Sequence, residues 1–98
     1  MTLPISFRAV ARAEYDAAIA WYDQARNGLG SEFEAEVQAV LDVASATPSR
    51  YAIADGDVRE AAVSGFPYCV YYRVRSRKLI ILAVYHQSRD PSGWRGRA

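Results

Sequence analysis

The sequence predicts an α+β fold in which a two-helix antiparallel hairpin packs on one face of an antiparallel β-sheet, in the order β-α-α-β-β-β. Two changes of pattern lead there. From about residue 9 into the forties, apolar side chains recur every three to four positions, the period of a helix face. From residue 57 to residue 86 the period falls to two, the signature of strands. Consecutive helices followed by consecutive strands segregate into two layers, which leaves the far face of the sheet partly open. The 98 residues supply one core and no second, so the chain is read as a single domain over 1–98.

After a short extended start, "LPISF", a first helix is expected over about residues 9–26, with Val10, Ala13, Ala17, Ala20 and Trp21 as its buried stripe. "NGLGS" breaks it. Ser31 is the expected N-cap of a second helix and Glu34, three residues on, completes a capping-box pattern. Phe33, Val37, Val40, Leu41 and Ala44 form that helix's apolar face, and Pro48 ends it by disfavouring helical geometry at Thr47. The glycines of "GLG" do not make a phosphate-binding loop, because no strand precedes them and no lysine follows.

Three strands follow, "DVREAAV", "PYCVYYRVR" and "KLIILAVYH". In the middle one Tyr68, Val70, Tyr72 and Val74 share one face, and Cys69, Tyr71, Arg73 and Arg75 the other. The last is apolar on both sides, as expected of a strand inside the sheet. A two- or four-residue turn around Ser76 and Arg77 pairs Arg73 with Ile80 and His86 with Pro67, putting Arg73, Arg75 and His86 on the face of Tyr71. A three-residue or bulged turn sends His86 to the other face.

Hydrophobic residues at 51% and charged residues at 23% are ordinary for a folded chain. No secretory h-region or membrane-length apolar run is present, so a cytoplasmic protein with no membrane partner is expected. The single cysteine, Cys69, excludes an internal disulfide, and with one histidine it makes no zinc site; no metal or cofactor is expected. The net charge of +1 hides an asymmetry. Residues 1–58 hold four basic side chains against nine acidic, a balance of −5, and residues 59–98 hold eight against two, a balance of +6. Such a split points the carboxyl-terminal half at an anionic partner, nucleic acid or an acidic protein segment.

The run of "AIAWYDQ", "GLGSEF", "TPSRY", "VREAAVSGFPYCVYYRV" and "ILAVYHQSRDPSGWRGR" resembles, in order and spacing, the RelE/ParE superfamily of toxins from type II toxin–antitoxin modules. The resemblance covers nearly the whole chain. It implies a bacterial growth inhibitor, of the kind associated with plasmid stabilisation, that is silenced in a hetero-oligomer by an acidic antitoxin whose amphipathic segment packs along the toxin. It also implies one of two targets: RelE-like members cut messenger RNA on the ribosome, and ParE-like members poison DNA gyrase.

Set against the nuclease pattern, Cys69 stands where those enzymes carry an essential arginine, Glu60 and Ala62 where RelE has lysines, and Gln87 near another basic position. These departures favour the ParE-like reading, a gyrase inhibitor without catalysis. The alternatives are a ribosome-dependent endoribonuclease, with His86, Arg73, Arg59 and Arg89 as its acid/base and phosphate-binding candidates, and a non-toxic protein-binding module. Arg73, Arg75, His86, Arg89 and Trp94 are the expected target-binding residues. Arg59, Tyr71, Arg73 and Arg75 are the expected antitoxin contacts.

Overall fold

The computed structural model describes residues 2–97. Strand β1 (Ile5–Phe7) leads into helices α1 (Ala9–Ala25) and α2 (Leu29–Ala46); a single 3-10 turn, Pro48–Arg50, is followed by β2 (Ile53–Asp55), β3 (Val58–Ala62), β4 (Tyr68–Arg75), β5 (Lys78–His86) and a short α3 (Ser92–Arg95). The strands form one five-stranded sheet in the order β1-β5-β4-β3-β2. It is antiparallel except at its edge, where β1 runs parallel to β5. The expected α+β architecture is present, with two additions: β2, only three residues long and too short to signal itself, and the tail helix α3.

The two helices cover the face that carries Val70, Tyr72, Leu79, Ile81 and Val84, and Phe33, Val37, Leu41 and Ala44 of α2 meet it as the periodicity predicted. Helix α1 is rotated from expectation. All five residues expected inside, Val10, Ala13, Ala17, Ala20 and Trp21, are exposed, and Ala11, Tyr15 and Ala18 are buried instead. One residue of offset turns a helix by about 100°. The helix carries two competing apolar stripes, and the one holding Tyr15, Ile19 and Tyr22 offers more area to bury than one made mostly of alanine.

The start of α2 also differs. It begins two residues before the expected cap, at Leu29, behind Gly28 in the left-handed region at φ +88°, and no side chain of its own caps it. The cap comes across the hairpin: Asp23 Oδ1 accepts the Gly30 N–H at 2.7 Å. Gly30 is required there because a Cβ would collide with the Ile19 carbonyl oxygen and come within 2.6 Å of Asp23 Cγ.

The β4–β5 turn has two residues, and near it the expected register holds, Arg73 pairing with Ile80. A bulge then intervenes. Tyr72 pairs with Ile81 but Tyr71 with Ala83, so Leu82 is the extra residue, and beyond it every partner shifts by one. His86 therefore lies opposite Tyr68, not Pro67, and falls on the helix-covered side, away from Tyr71. The bulge within the strand, not the turn, sets its face.

Candidate functional site

The sheet has three places where polar and aromatic groups converge. The first is the seam between α1 and the end of β5. Here Glu14 of α1, with its side chain only 13% exposed, accepts from Arg97 Nη1 (2.8 Å), Arg97 Nη2 (2.9 Å), Arg89 Nη1 (3.0 Å) and the Val84 N–H (3.1 Å). Arg97 Nη1 also reaches the Leu82 carbonyl at 3.1 Å. Leu82, the extra residue of the bulge, and Val84 lie where β1 no longer pairs with β5, so these side chains answer backbone groups that a neighbouring strand would otherwise take. The Glu14 hydrogen bond pushes the Arg97 guanidinium above its ordinary range.

Beside this cluster, Ala17, Trp21, Tyr68, His86 and Arg89 line a hollow of about 270 Å³. A neighbouring hollow of about 350 Å³ shares Trp21, Tyr68 and His86. His86 stands edge-on to Tyr68 at 5.1 Å between ring centroids. Its Nδ1 accepts the Ser88 N–H at 3.0 Å, with Ser88 Oγ at 2.8 Å, an arrangement that leaves Nε2 to carry the proton of the neutral ring. Trp21 is 64% exposed. The seam thus joins the uncovered stripe of α1 to the only histidine.

The second place is the open face of the sheet, which the tail partly covers. Trp94 is buried there and stacks on Tyr71, with centroids 4.0 Å apart and planes 16° from parallel. Gly93 lets the tail turn against Tyr85, whose hydroxyl lies where a Cβ would be, and Tyr85 donates to the Asp90 carbonyl. The Trp94 Nε1–H is buried without a hydrogen-bond partner. Next to it Glu60, Tyr71, His86, Gln87, Arg89 and Arg95 line a hollow of about 350 Å³. Gln87 Nε2 donates to Cys69 Sγ at 3.6 Å. Burial pushes the Cys69 thiol up, and burial with the nearby Glu60 pushes the Tyr71 hydroxyl well above its ordinary range. Neither is poised as a nucleophile or base.

The third place is the opposite end of the sheet. Arg59 Nη1 donates to the Tyr51 carbonyl at 2.7 Å, holding the 3-10 turn against the sheet. Arg73 and Arg75 share Asp57, at 2.9 and 3.3 Å. The expected site residues are therefore divided: His86, Arg89, Tyr71 and Trp94 meet around one hollow at the tail end of the sheet, and Arg59, Arg73 and Arg75 cluster elsewhere. Five residues of β4 separate Arg73 from Tyr68, the partner of His86, about 17 Å at strand rise. Glu14, the group that organises the first place, was legible only as one more acid on a helix, because its partners lie about seventy or more positions away in sequence.

Among the described residues no helix is long and apolar enough to cross a membrane, and no group of His, Cys, Asp and Glu side chains has the makings of a metal site. A search of curated protein sequences finds no match. Among solved structures the fold is similar to the chromosomal ParDE toxin–antitoxin system from P. aeruginosa, with a TM-score of 0.74 at 15% identity, covering 87% of this chain and 96% of that one. The family model for the ParE toxin of the type II toxin–antitoxin system, parDE, matches residues 5–91. Matched over most of its length by that model, the chain belongs to the ParE toxin family.

Proposed function

We propose that this chain is a cytoplasmic growth inhibitor that acts by binding DNA gyrase, without catalysis, and that a cognate acidic antitoxin silences it. One observation carries the choice of target. On the open face, where a nuclease of this superfamily needs free converging cations, the chain presents Glu60, Cys69, Tyr71 and Gln87 under a lid formed by Trp94, and of the cations lining the same hollow Arg89 is held by Glu14 and Arg95 lies over the Trp94 ring. Arg59, Arg73 and Arg75 hold carbonyls and a carboxylate at the far end of the sheet, and Arg89 is held by Glu14. A scissile phosphate on that face would meet the Glu60 carboxylate and arginines already engaged within the chain, poor charge stabilisation for phosphoryl chemistry. Pulse labelling after induction tests the reading: DNA synthesis should stop before protein synthesis, and purified protein should inhibit gyrase supercoiling. Early collapse of protein synthesis with messenger loss would instead assign the nuclease activity, and unimpeded growth would assign a non-toxic binding module.

The antitoxin reading rests on the uncovered stripe of α1. Val10, Ala13, Ala17, Ala20 and Trp21 form one apolar line that ends at the hollows around Tyr68 and His86. An amphipathic helix can lay its apolar face there, with its acidic positions toward Arg89. Trp21→Ala should leave the unfolding midpoint unchanged, since the ring is mostly solvated, and should weaken antitoxin binding by about 2 kcal/mol, roughly thirtyfold, if Trp21 is a central anchor.

A further inference from the structure

The tip of the β4–β5 hairpin combines three features that each work against its stability. Ser76 and Arg77 stand at φ +52° and +60°, in the left-handed region, whereas every other described residue with positive φ, Gly28, Gly56 and Gly65, is a glycine. Arg75 and Lys78 are direct cross-strand partners, like charge opposite like. One carboxylate, Asp57, answers both Arg73 and Arg75, while Arg77 and Lys78 have no ion-pair partner among the described residues. Residues 74–78 are all exposed, so none of this is compensated by packing. Pairing with β3 reaches only Tyr72 and pairing with β1 only Leu79, so the tip projects past both neighbours as a two-stranded ribbon. Unfavourable geometry kept at an exposed turn marks a place used for something other than folding.

We propose that this tip binds the phosphate backbone of duplex nucleic acid, without sequence preference, through Arg75, Arg77 and Lys78. The array favours phosphates over an acidic peptide. Arg75 and Lys78 stand about 5 Å apart across the ribbon and the turn sets Arg77 between them, a compact set of cations that suits closely spaced phosphates. A two-stranded ribbon is also narrow enough to follow a major groove about 12 Å wide. An acidic peptide would need flanking apolar anchors for affinity, and beyond Val74 the tip offers none. The contact does not depend on which target the toxin inhibits.

The test uses the full purified chain and a labelled DNA duplex of mixed sequence, with fluorescence anisotropy followed across a salt series. Binding should weaken linearly in log–log form with a slope of about −0.9 per phosphate neutralised. Replacing Arg77 and Lys78 by alanine should reduce the magnitude of that slope by about two. The double variant Ser76→Asn with Arg77→Gly supplies the residue pair such turns prefer. It should unfold at a higher temperature while binding the duplex more weakly, so lost binding cannot be ascribed to lost structure. An unchanged slope and affinity in both variants would overturn the proposal, as would parent protein that binds polyglutamate but no duplex at low salt. An unchanged unfolding temperature in the Asn-Gly variant would remove the strain on which the inference stands.

Discussion

Replacing Glu14 with alanine removes the acceptor that joins α1, the bulged strand and the tail. Two consequences set the magnitude. The Val84 N–H, in a strand residue only 1% exposed, loses its partner at 3.1 Å, and an orphaned buried donor costs about 1–3 kcal/mol. The Arg97 guanidinium, 16% exposed, loses both of its short bonds to Glu14, and breaking a fully buried ion pair costs about 3–5 kcal/mol. Residual exposure and the remaining bond to Leu82 O reduce that second figure, so a loss of about 3–4 kcal/mol is expected, a large part of the roughly 5–15 kcal/mol that holds such a domain together. Urea denaturation of Glu14→Ala, Arg97→Ala and the double variant measures it. The double variant should lose less than the sum of the singles by about 1.5–3 kcal/mol, because the second change removes a group already stranded by the first. A single-variant loss below about 1 kcal/mol, or losses that simply add, would refute the idea that this cluster is a coupled unit.

Three other outcomes follow from the packing. Gly30→Ala should destabilise by about 2–3 kcal/mol despite the higher helix propensity of alanine, because its Cβ meets Asp23 and the Ile19 backbone; equilibrium unfolding would show it. Trp94→Ala should cost about 3–5 kcal/mol through the lost stack on Tyr71, whereas Trp94→Phe should stay within about 1 kcal/mol of the parent, since it keeps the stacking and removes the unpartnered N–H. Burial pushes the Tyr15 hydroxyl from 10.0 up to about 12, and the folded state therefore resists its ionisation. The linked stability is complete below about pH 10 and is lost as the pH climbs to about 12; denaturant midpoints across that window should fall, and in Tyr15→Phe the fall should be shallower.

The parts of this molecule that were legible in advance are those in which one local signal acts alone. The alternation in β4 separates Tyr68, Val70 and Tyr72 from Cys69 and Tyr71, and the two-residue turn at Ser76 and Arg77 sets the register beside it. Where two signals compete, the reading fails. Helix α1 has two apolar stripes, and only the size of Tyr15 and Tyr22 decides between them. Leu79 to Tyr85 are all apolar, so nothing in that run betrays the extra residue at Leu82 that moves His86 to the other side. Much of the positive excess of the carboxyl-terminal half is answered within the chain, because Asp57 pairs with Arg73 and Arg75 and Glu14 with Arg89 and Arg97, pairings that only the folded chain can bring about.

The way β5 is finished beyond β1 bears on the behaviour of the chain in solution. A bare strand border is a template onto which another copy can add, the first step of fibrillar aggregation. The two outermost strands, β1 and β2, have three residues each, too short a ledge for lasting addition. The longer stretch of β5 past Phe7 would be a better template, but a carboxylate from α1 and a guanidinium from the tail occupy its amide and carbonyl. Side-chain chemistry there replaces a neighbouring strand without inviting one. A chain parted from its protein partner thus keeps this border closed to strand addition, and trimming the tail before Arg97 should open the Leu82 carbonyl to it.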